Sequence, residues 1–242
     1  MKAMIMAAGR GERLRPLTDH TPKPLIKVNG IALIEYHIIK LAAAGIKDIV
    51  INLAWLGETI VNELGDGSRW GVNISYSWEK PHALETAGGI IKALPLLIEP
   101  DAINKDQETF LVINGDIYFD YDLNPLPTLT GDELAHLWLV PNPAHNPDGD
   151  FVLAEKTISP VFTNEKTSYT FSGIALYKAA LFYQLKQSNA DSTNKMVLKL
   201  GPKLKECAEK GVIKGCILNS FWIDVGTKER LEQVNTYLGA NK

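Results

Sequence analysis

A glycine-rich, basic segment near the N-terminus, AAGRGERLRPLTDHTPKPL, carries residue types that phosphate chemistry needs. It follows a short apolar run that predicts a buried strand. Gly9 and Gly11 would let backbone N–H groups approach a phosphate, and Arg13 and Lys23 would supply fixed positive charge. Lys23 lies between two prolines, which hold it on an extended stretch. The residue types indicate phosphate binding, although a tight turn with a solvated lysine has the same composition.

Two common phosphate motifs are excluded for this segment, which is called the phosphate loop below and runs from Gly9 to Pro24. The dinucleotide fingerprint fails because Leu14 occupies its third glycine position, and because the second predicted strand ends in Asn52 and Leu53 without a ribose-binding acid. A P-loop fails because no Gly-Lys-Ser/Thr follows at the required spacing. The sequence therefore predicts a phosphate loop of another kind.

Two aspartates stand where predicted strands end. Asp116 follows the apolar run FLVIN in the segment Asn-Gly-Asp, and Asp224 lies in Trp-Ile-Asp-Val-Gly. Open α/β sheets bind ligands at the carboxyl ends of their strands, and Mg²⁺ is usually held by one or two carboxylates together with substrate phosphates. Each aspartate alone could serve a turn or a helix cap. Together with the phosphate loop, the pair predicts a magnesium site.

The segment Glu-Thr-Ala-Gly-Gly that begins at Glu85 predicts the start of a helix. Its paired glycines would allow a flat base to lie against the backbone. Equally, Thr86 could cap the helix and the glycines could serve packing alone. The residue types alone favour neither a base-binding role nor a purely structural role for this segment.

Composition limits the classes of partner. The net charge is −3, which argues against binding nucleic acid or an anionic membrane, yet the first 27 residues hold six basic and two acidic side chains. A local basic cluster in an acidic chain favours a compact polyanion such as a triphosphate. The five histidines and two cysteines have no ligand spacing, and no apolar stretch has the length of a membrane span or a signal peptide. We therefore expect a cytoplasmic protein without a disulfide framework.

Strand and helix patterns alternate from the N-terminus. The sequence predicts one α/β domain over residues 1–242, with a Rossmann-like, mostly parallel central sheet flanked by helices. The predicted helices are 32–44, 57–64, one starting near 86, 196–210 and 228–238. The predicted strands are 2–7, 48–53, 72–77, 110–114, 135–140, 151–154, 168–177, 212–218 and 221–225.

The phosphate loop resembles the opening signature of the sugar-nucleotide pyrophosphorylases, L-A-A-G-x-G-x-R-L-x-P-L-T-x-x-x-P-K-P, with Met6 in place of the initial leucine. The Asn-Gly-Asp and Trp-Ile-Asp-Val-Gly segments extend the resemblance across nearly the whole chain. The stretches IEYH, INLAWLGETI, LGDGSRWG and LETAGGI are most similar to short, single-domain members that transfer uridylate to N-acetylmuramate 1-phosphate in bacterial cell-wall recycling. The resemblance implies a GT-A-like nucleotidyltransferase fold.

The resemblance also implies roles for particular residues. The triphosphate would be held by Gly9, Gly11, Glu12, Arg13 and Lys23. The base would lie near Ala7, Ala8, Glu85 and Gly88, the sugar near Asn114, Asp150 and Gly173, and Mg²⁺ on Asp116 and Asp224. The sequence departs from the family pattern at Ala87, where glycine is expected in the base pocket, and at apparent insertions over 104–109 and 189–195 on the acceptor side.

The implied reaction is in-line attack of a sugar 1-phosphate oxygen on the α-phosphorus of a nucleoside triphosphate, with Mg²⁺ as cofactor and pyrophosphate leaving. A phosphate monoester has a second pKa of about 6, so it needs no general base at neutral pH. Several alternatives stay open: GTP with mannose, heptose or glucose 1-phosphate, CTP with a phosphorylated alcohol, a nonenzymatic regulator that binds sugar nucleotides, and a generic α/β binding module. The sequence leaves the oligomeric state undetermined.

Overall fold

The computed structural model describes residues 1–79, 83–161, 167–189 and 197–240. Its α-helices are α1 Leu33–Ala43, α2 Gly57–Leu64, α3 Glu85–Leu97, α4 Ala179–Ser188, α5 Leu200–Glu209 and α6 Lys228–Ala240. Its strands are β1 Lys2–Met6, β2 Lys27–Val28, β3 Ile31–Ala32, β4 Asp48–Leu53, β5 Asn73–Trp78, β6 Thr109–Asn114, β7 Ile117–Phe119, β8 Ala135–Val140, β9 Phe151–Ala154, β10 Thr157–Pro160, β11 Ser168–Lys178, β12 Ile213–Ile217 and β13 Trp222–Asp224.

The chain divides into two compact units. The first comprises Met1–Ala83, Ile113–Pro125 and Ser220–Lys242, and the second comprises Leu84–Val112 and Leu126–Asn219. The prediction of one domain over the whole chain stays a prediction. Among the residues that the structure describes, no helix is long and apolar enough to cross a membrane.

In the first unit, β5, β4 and β1 form a parallel sheet in that order. Strands β1 and β4 are nearly continuous apolar runs, as expected for parallel strands that are covered on both faces, and α1 buries Leu33, Ile34, Ile38 and Leu41. Because the strands are parallel, their carboxyl ends meet at one edge. The phosphate loop leaves from that edge, immediately after β1.

A second element of the first unit is the antiparallel pair β7 and β13. It packs in a cluster with Val28, Leu33 and Val234, the last of which comes from α6. Asp224 pairs with Ile117 in this ladder, and the Val225 N–H donates to the Asp116 carbonyl oxygen at 2.7 Å. The two predicted magnesium carboxylates therefore stand on adjacent backbones.

The second unit contains strands in the order β11, β8, β12, β10 and β9. Only β8 and β12 run parallel among these described pairs, and the others are antiparallel. The β9–β10 hairpin is one source of the difference from a mostly parallel sheet. Its two-residue turn after Ala154 has Glu155 at φ +54° and reverses the direction of the chain. The sheet is mixed, and the α/β class is confirmed.

One apparent insertion has a structural role in the second unit. The carbonyl oxygens of Asp106 and Glu108 accept hydrogen bonds from the N–H groups of Ala180 and Ala179, each at 2.8 Å. The first backbone N–H groups of a helix have no partner within it, so this loop caps α4. Residues 190–195 of the other apparent insertion lie outside the described residues.

Candidate active site

The phosphate loop is folded onto itself. Gly11 has φ +69°, and its carbonyl oxygen accepts a hydrogen bond from the Thr18 hydroxyl at 2.9 Å. A Cβ at Gly11 would lie 2.9 Å from Thr18 Cγ2 and 3.2 Å from Lys23 Cβ. Both the backbone angle and the packing therefore require glycine at this position. The predicted lysine thus lies directly beside the predicted glycine turn.

Lys23 and Asp116 form an ion pair. Lys23 Nζ lies 2.6 Å from Asp116 Oδ2, and the lysine side chain is 10% exposed against 37% for the aspartate. Gly115, which precedes Asp116 in the chain, donates its N–H to the Met6 carbonyl oxygen at 2.9 Å. A Cβ on Gly115 would lie 2.6 Å from the same oxygen. This close backbone approach fixes Asp116 next to the end of β1. The structure thereby brings together two residues that lie far apart in the sequence.

Asp224 has a cationic partner that the sequence analysis missed. Arg230 Nη2 lies 3.1 Å from Asp224 Oδ2, and both side chains are largely buried. Arg230 is in the first turn of α6, where the helix dipole disfavours a positive charge. A basic side chain in that position indicates a nearby anion, which is the signal that could have identified it.

Arg13 lies close to the same pair. A Cβ added to Gly226 would contact the guanidinium groups of both Arg13 and Arg230, with Arg13 Nη2 at 3.0 Å. The absence of a side chain at Gly226 therefore makes room for two guanidinium groups beside Asp224. Two like charges so close together favour an anionic ligand or counterion between them.

The donor set fits Mg²⁺. Asp116, in the turn before β7, and Asp224, at the end of β13, offer hard carboxylate oxygens, and each carboxylate has a cationic side chain against one oxygen. The described residues contain no cluster of three or more histidine, cysteine, aspartate or glutamate side chains that could hold a metal ion alone. A site of two carboxylates suits a magnesium ion that is held jointly with substrate phosphates.

Glu12, a predicted triphosphate residue, balances charge within the loop. Its carboxylate accepts a hydrogen bond from Arg10 Nε at 3.1 Å and lies 3.7 Å from Arg15 Nη1. Asp19 in turn accepts a hydrogen bond from Arg15 Nε at 2.8 Å. The loop's acidic residues thus neutralise Arg10 and Arg15, which leaves Arg13 and Lys23 as its cations beside the aspartates.

A buried polar chain fixes the start of the loop, where Ala7 and Ala8 are the predicted base contacts. The Ala7 N–H donates to Asn52 Oδ1 and Asn52 Nδ2 donates to Glu79 Oε1, each at 2.7 Å. Asn52 and Glu79 are almost fully buried. Buried polar groups specify geometry when they are satisfied, so this chain sets the backbone at Ala7. The polar Asn52 inside an apolar strand was its sequence signal.

In the second unit, the start of α3 has an unusual backbone. Glu85 has φ +62°, whereas Ala87 is buried in an ordinary helical position. Glu85 therefore holds the left-handed backbone position of this segment, whereas the family's expected glycine at position 87 concerns the base pocket and stays a prediction. The Ala87 and Gly88 N–H groups both donate to the Leu198 carbonyl oxygen, at 2.9 and 3.2 Å. The N–H of Gly88, a predicted base contact, is thus engaged within the unit.

The strain at Glu85 has a measurable consequence. A left-handed φ costs a non-glycine residue about 1–2 kcal/mol, and glycine loses part of this advantage through its freer unfolded state. We expect Glu85→Gly to raise the free energy of unfolding by about 1 kcal/mol in urea titrations, whereas Glu85→Ala should not. Equal stabilisation by both substitutions would contradict this account.

The predicted sugar residues Asp150 and Gly173 support the backbone of the second unit. Asp150 Oδ2 accepts the Phe171 N–H at 2.8 Å, and Asp150 Oδ1 accepts a hydrogen bond from Asn146 at 3.3 Å. Gly173 has φ +83° in a stretch of β11 where the pairing register shifts, as in a β-bulge. Asn114, the third predicted sugar residue, ends β6 within the first unit.

Two buried histidines are neutral at physiological pH. Burial lowers the pKa of His37 and of His136 to about 4. His37 stacks on Phe119 with ring centroids 5.6 Å apart, and His136 Nε2 lies 3.4 Å from Cys216 Sγ. Neither imidazole is therefore positively charged near pH 7, where each would have to be protonated to act as a general acid.

Comparison with known proteins places this geometry in context. The profile of a family described as Nucleotidyl transferase matches residues 2–149. An N-acetylmuramate alpha-1-phosphate uridylyltransferase from Neisseria meningitidis serogroup B is 45% identical over 247 residues, covering 100% of this chain and 100% of that enzyme. A mannose-1-phosphate guanylyltransferase from Mycobacterium tuberculosis is 27% identical over 238 residues, covering 94% of this chain and 61% of that enzyme.

Solved structures share the fold. A Bacillus anthracis protein crystallised with sucrose matches with a TM-score of 0.81 and 25% identity, covering 98% of this chain and 94% of that one. The inositol-1-phosphate CTP transferase from T. maritima matches with a TM-score of 0.73 and 20% identity, covering 96% and 95%. Since the profile matches more than half of the chain and one relative matches it from end to end, this chain belongs to the nucleotidyl transferase family.

Proposed function

We propose that the protein transfers uridylate from UTP to N-acetyl-α-muramate 1-phosphate, giving the UDP-sugar and pyrophosphate. The observation that carries the substrate pair is the 45% identity with the Neisseria meningitidis uridylyltransferase over the whole length of both chains. The pairing of Lys23 with Asp116 beside Arg13 and Asp224 supports the reaction class, because it offers cations and carboxylates where a triphosphate would be held.

In the proposed site, Asp116 and Asp224 hold Mg²⁺, which would neutralise phosphate charge when bound. Arg13 and Lys23 contact the triphosphate and stabilise the negative charge that develops on the departing pyrophosphate. Lys23 is suited to this because its stem is buried and its Nζ is already fixed against Asp116. Gly11 gives the phosphates close access to the backbone.

The acceptor phosphate needs no general base, because a phosphate monoester is mostly dianionic at neutral pH. Catalysis then consists of aligning the acceptor oxygen with the α-phosphorus and of neutralising charge. The neutral histidines are consistent with this scheme, since no proton has to move. A covalent intermediate is unnecessary.

The other assigned contacts are part of the same proposal. Ala7, Ala8, Glu85 and Gly88 serve the base, and Asn114, Asp150 and Gly173 serve the sugar. We place the reaction in peptidoglycan recycling in the cytoplasm, carried out by the whole chain as one nucleotidyltransferase domain. The similarity to the Mycobacterium tuberculosis enzyme makes GTP with mannose 1-phosphate the second candidate pair.

Substrate profiling tests the proposal. Pyrophosphate release is measured with Mg²⁺ and each nucleoside triphosphate against N-acetylmuramate, N-acetylglucosamine, glucose, mannose and heptose 1-phosphates. We expect the highest kcat/KM for UTP with N-acetylmuramate 1-phosphate. A preference for another pair would contradict the substrate assignment and keep the site, whereas folded protein that releases pyrophosphate with no pair would contradict the enzyme assignment.

A further inference from the structure

We propose that Trp55 is a positioning residue that fastens the phosphate loop to the end of β4. Trp55 follows that strand by two residues and lies in the first unit together with the whole loop. It belongs to the stretch INLAWLGETI, whose tryptophan has no role in the site described above. Its indole contacts the loop in two ways and at two places.

The first contact is with the face of the ring. The Arg10 guanidinium carbon lies 3.4 Å from the centroid of the Trp55 ring, which is a cation–π contact. Arg10 is held there on its other sides as well, by Glu12 at 3.1 Å and by Asp19 at 3.6 Å. The positive charge of Arg10 is therefore balanced by acidic residues of the loop itself.

The second contact is with the edge of the ring. Trp55 Nε1 donates a hydrogen bond to the Thr18 carbonyl oxygen at 3.1 Å. Trp55 thus contacts the loop near its start and again in its middle, and the rigid indole links the two contacts. One side chain determines where Arg10 and Thr18 stand relative to the sheet.

Through Thr18, the contact with Trp55 also constrains residues that are proposed to bind phosphate. The Thr18 hydroxyl donates to the Gly11 carbonyl oxygen at 2.9 Å, and Thr18 is buried. Gly11 in turn lies against the Lys23 side chain. Fixing Thr18 therefore fixes the glycine turn that precedes Arg13 and packs against Lys23.

The contacts of Trp55 should strengthen triphosphate binding, because they order the phosphate loop before the ligand arrives. A loop of this length that is not fastened has to be ordered by its ligand, and the lost freedom reduces affinity. With Trp55 in place, the order exists before the triphosphate arrives. Releasing the loop should therefore weaken triphosphate binding and misalign the site, without removing any group that contacts the substrate.

The first test is proteolysis of the ligand-free protein, which requires no assumption about activity. Trypsin can cleave the loop after Arg10 and Arg13, whereas the bond after Arg15 is protected by Pro16. We expect Trp55→Ala to be cut in this loop about tenfold faster than the wild type, because cleavage follows local opening. Equal cutting rates, with both proteins folded by circular dichroism, would overturn the proposal.

The chain offers a matched control. Arg69 lies over the Trp70 ring at 3.8 Å, so Trp70→Ala removes a second arginine–tryptophan pair from the same unit. We expect its loop cleavage to stay at the wild-type rate. Trp55→Phe keeps a ring face but loses the Nε1–H, and should give an intermediate rate; it also serves if Trp55→Ala does not fold. Faster loop cleavage in Trp70→Ala than in Trp55→Ala would contradict a specific role for Trp55.

The second test rests on the proposed function. We expect Trp55→Ala to raise the KM for UTP by about tenfold or more, with a smaller loss in kcat, and Trp70→Ala to change neither. A wild-type KM in Trp55→Ala would overturn the positioning role. Should the wild type itself show no turnover, the proposed function fails while the proteolysis test still decides the role of Trp55.

Discussion

Lys23→Ala lowers kcat by about a hundredfold to a thousandfold, the loss typical when a preorganised group that stabilises transition-state charge is removed. Lys23 is the loop's buried cation, and its Nζ is fixed 2.6 Å from Asp116 in the proposed magnesium site. Alanine cannot place a charge there, and no other side chain of the loop is held against Asp116 in the described contacts. Steady-state rates of pyrophosphate release with UTP and N-acetylmuramate 1-phosphate measure the effect.

Lys27→Ala is the matched control for this loss. It removes the same charge four residues further along the chain, from an exposed position in β2. We expect this variant to keep wild-type rates, and both variants to unfold within about 1 kcal/mol of the wild type, since Asp116 is partly exposed and can be solvated without Lys23. Near-normal turnover by Lys23→Ala would contradict the assignment of the site.

Asp224→Asn abolishes measurable magnesium-dependent turnover and also destabilises the fold. The amide keeps the shape of the side chain but loses the charge that a hard cation requires. It also removes the charge that faces Arg230 in their ion pair, in which the arginine side chain is only 12% exposed. Removing one member of a largely buried pair should lower the free energy of unfolding by about 2 kcal/mol, which urea titration can measure.

A double variant separates these two effects. Asp224→Asn combined with Arg230→Gln removes both charges, so we expect most of the lost stability to return. Turnover should stay at least about a hundredfold below the wild type, because the carboxylate is still missing. Recovery of activity together with stability would show that Asp224 acts only through the fold and would contradict its role as a magnesium ligand.

The sequence predicted the regular elements well where a buried periodic pattern was long. The strand over 48–53 and the helix over 57–64 match β4 and α2, and the strand over 135–140 matches β8. It did not predict β2, β3, β7 or β10, each of which has four residues or fewer, although it did predict the equally short β9 and β13. The antiparallel strand order of the second unit could not be predicted from the sequence either, because it depends on pairings between distant strands and on the turn at Glu155.

The candidate site was predicted in its residue types but not in its pairings. Lys23 and Asp116 were each predicted from local context, whereas their ion pair depends on the close passage of Gly115 over Met6, which no local pattern reveals. Arg230 was missed because its position in the first turn of α6 indicates a nearby anion but does not identify Asp224 as that anion. The left-handed backbone at Glu85 was not predicted, because a backbone angle at a glutamate follows from the fold and leaves no signal in the motif.

The most direct test of the central claim is ³¹P nuclear magnetic resonance of the purified protein with UTP, N-acetylmuramate 1-phosphate and Mg²⁺. We expect UTP and the sugar phosphate to disappear together, and UDP-N-acetylmuramate and pyrophosphate to appear in equal amounts. Added pyrophosphate should drive the reaction backwards. Release of inorganic phosphate in place of pyrophosphate, or unchanged spectra from folded protein with every triphosphate and sugar phosphate supplied, would contradict it.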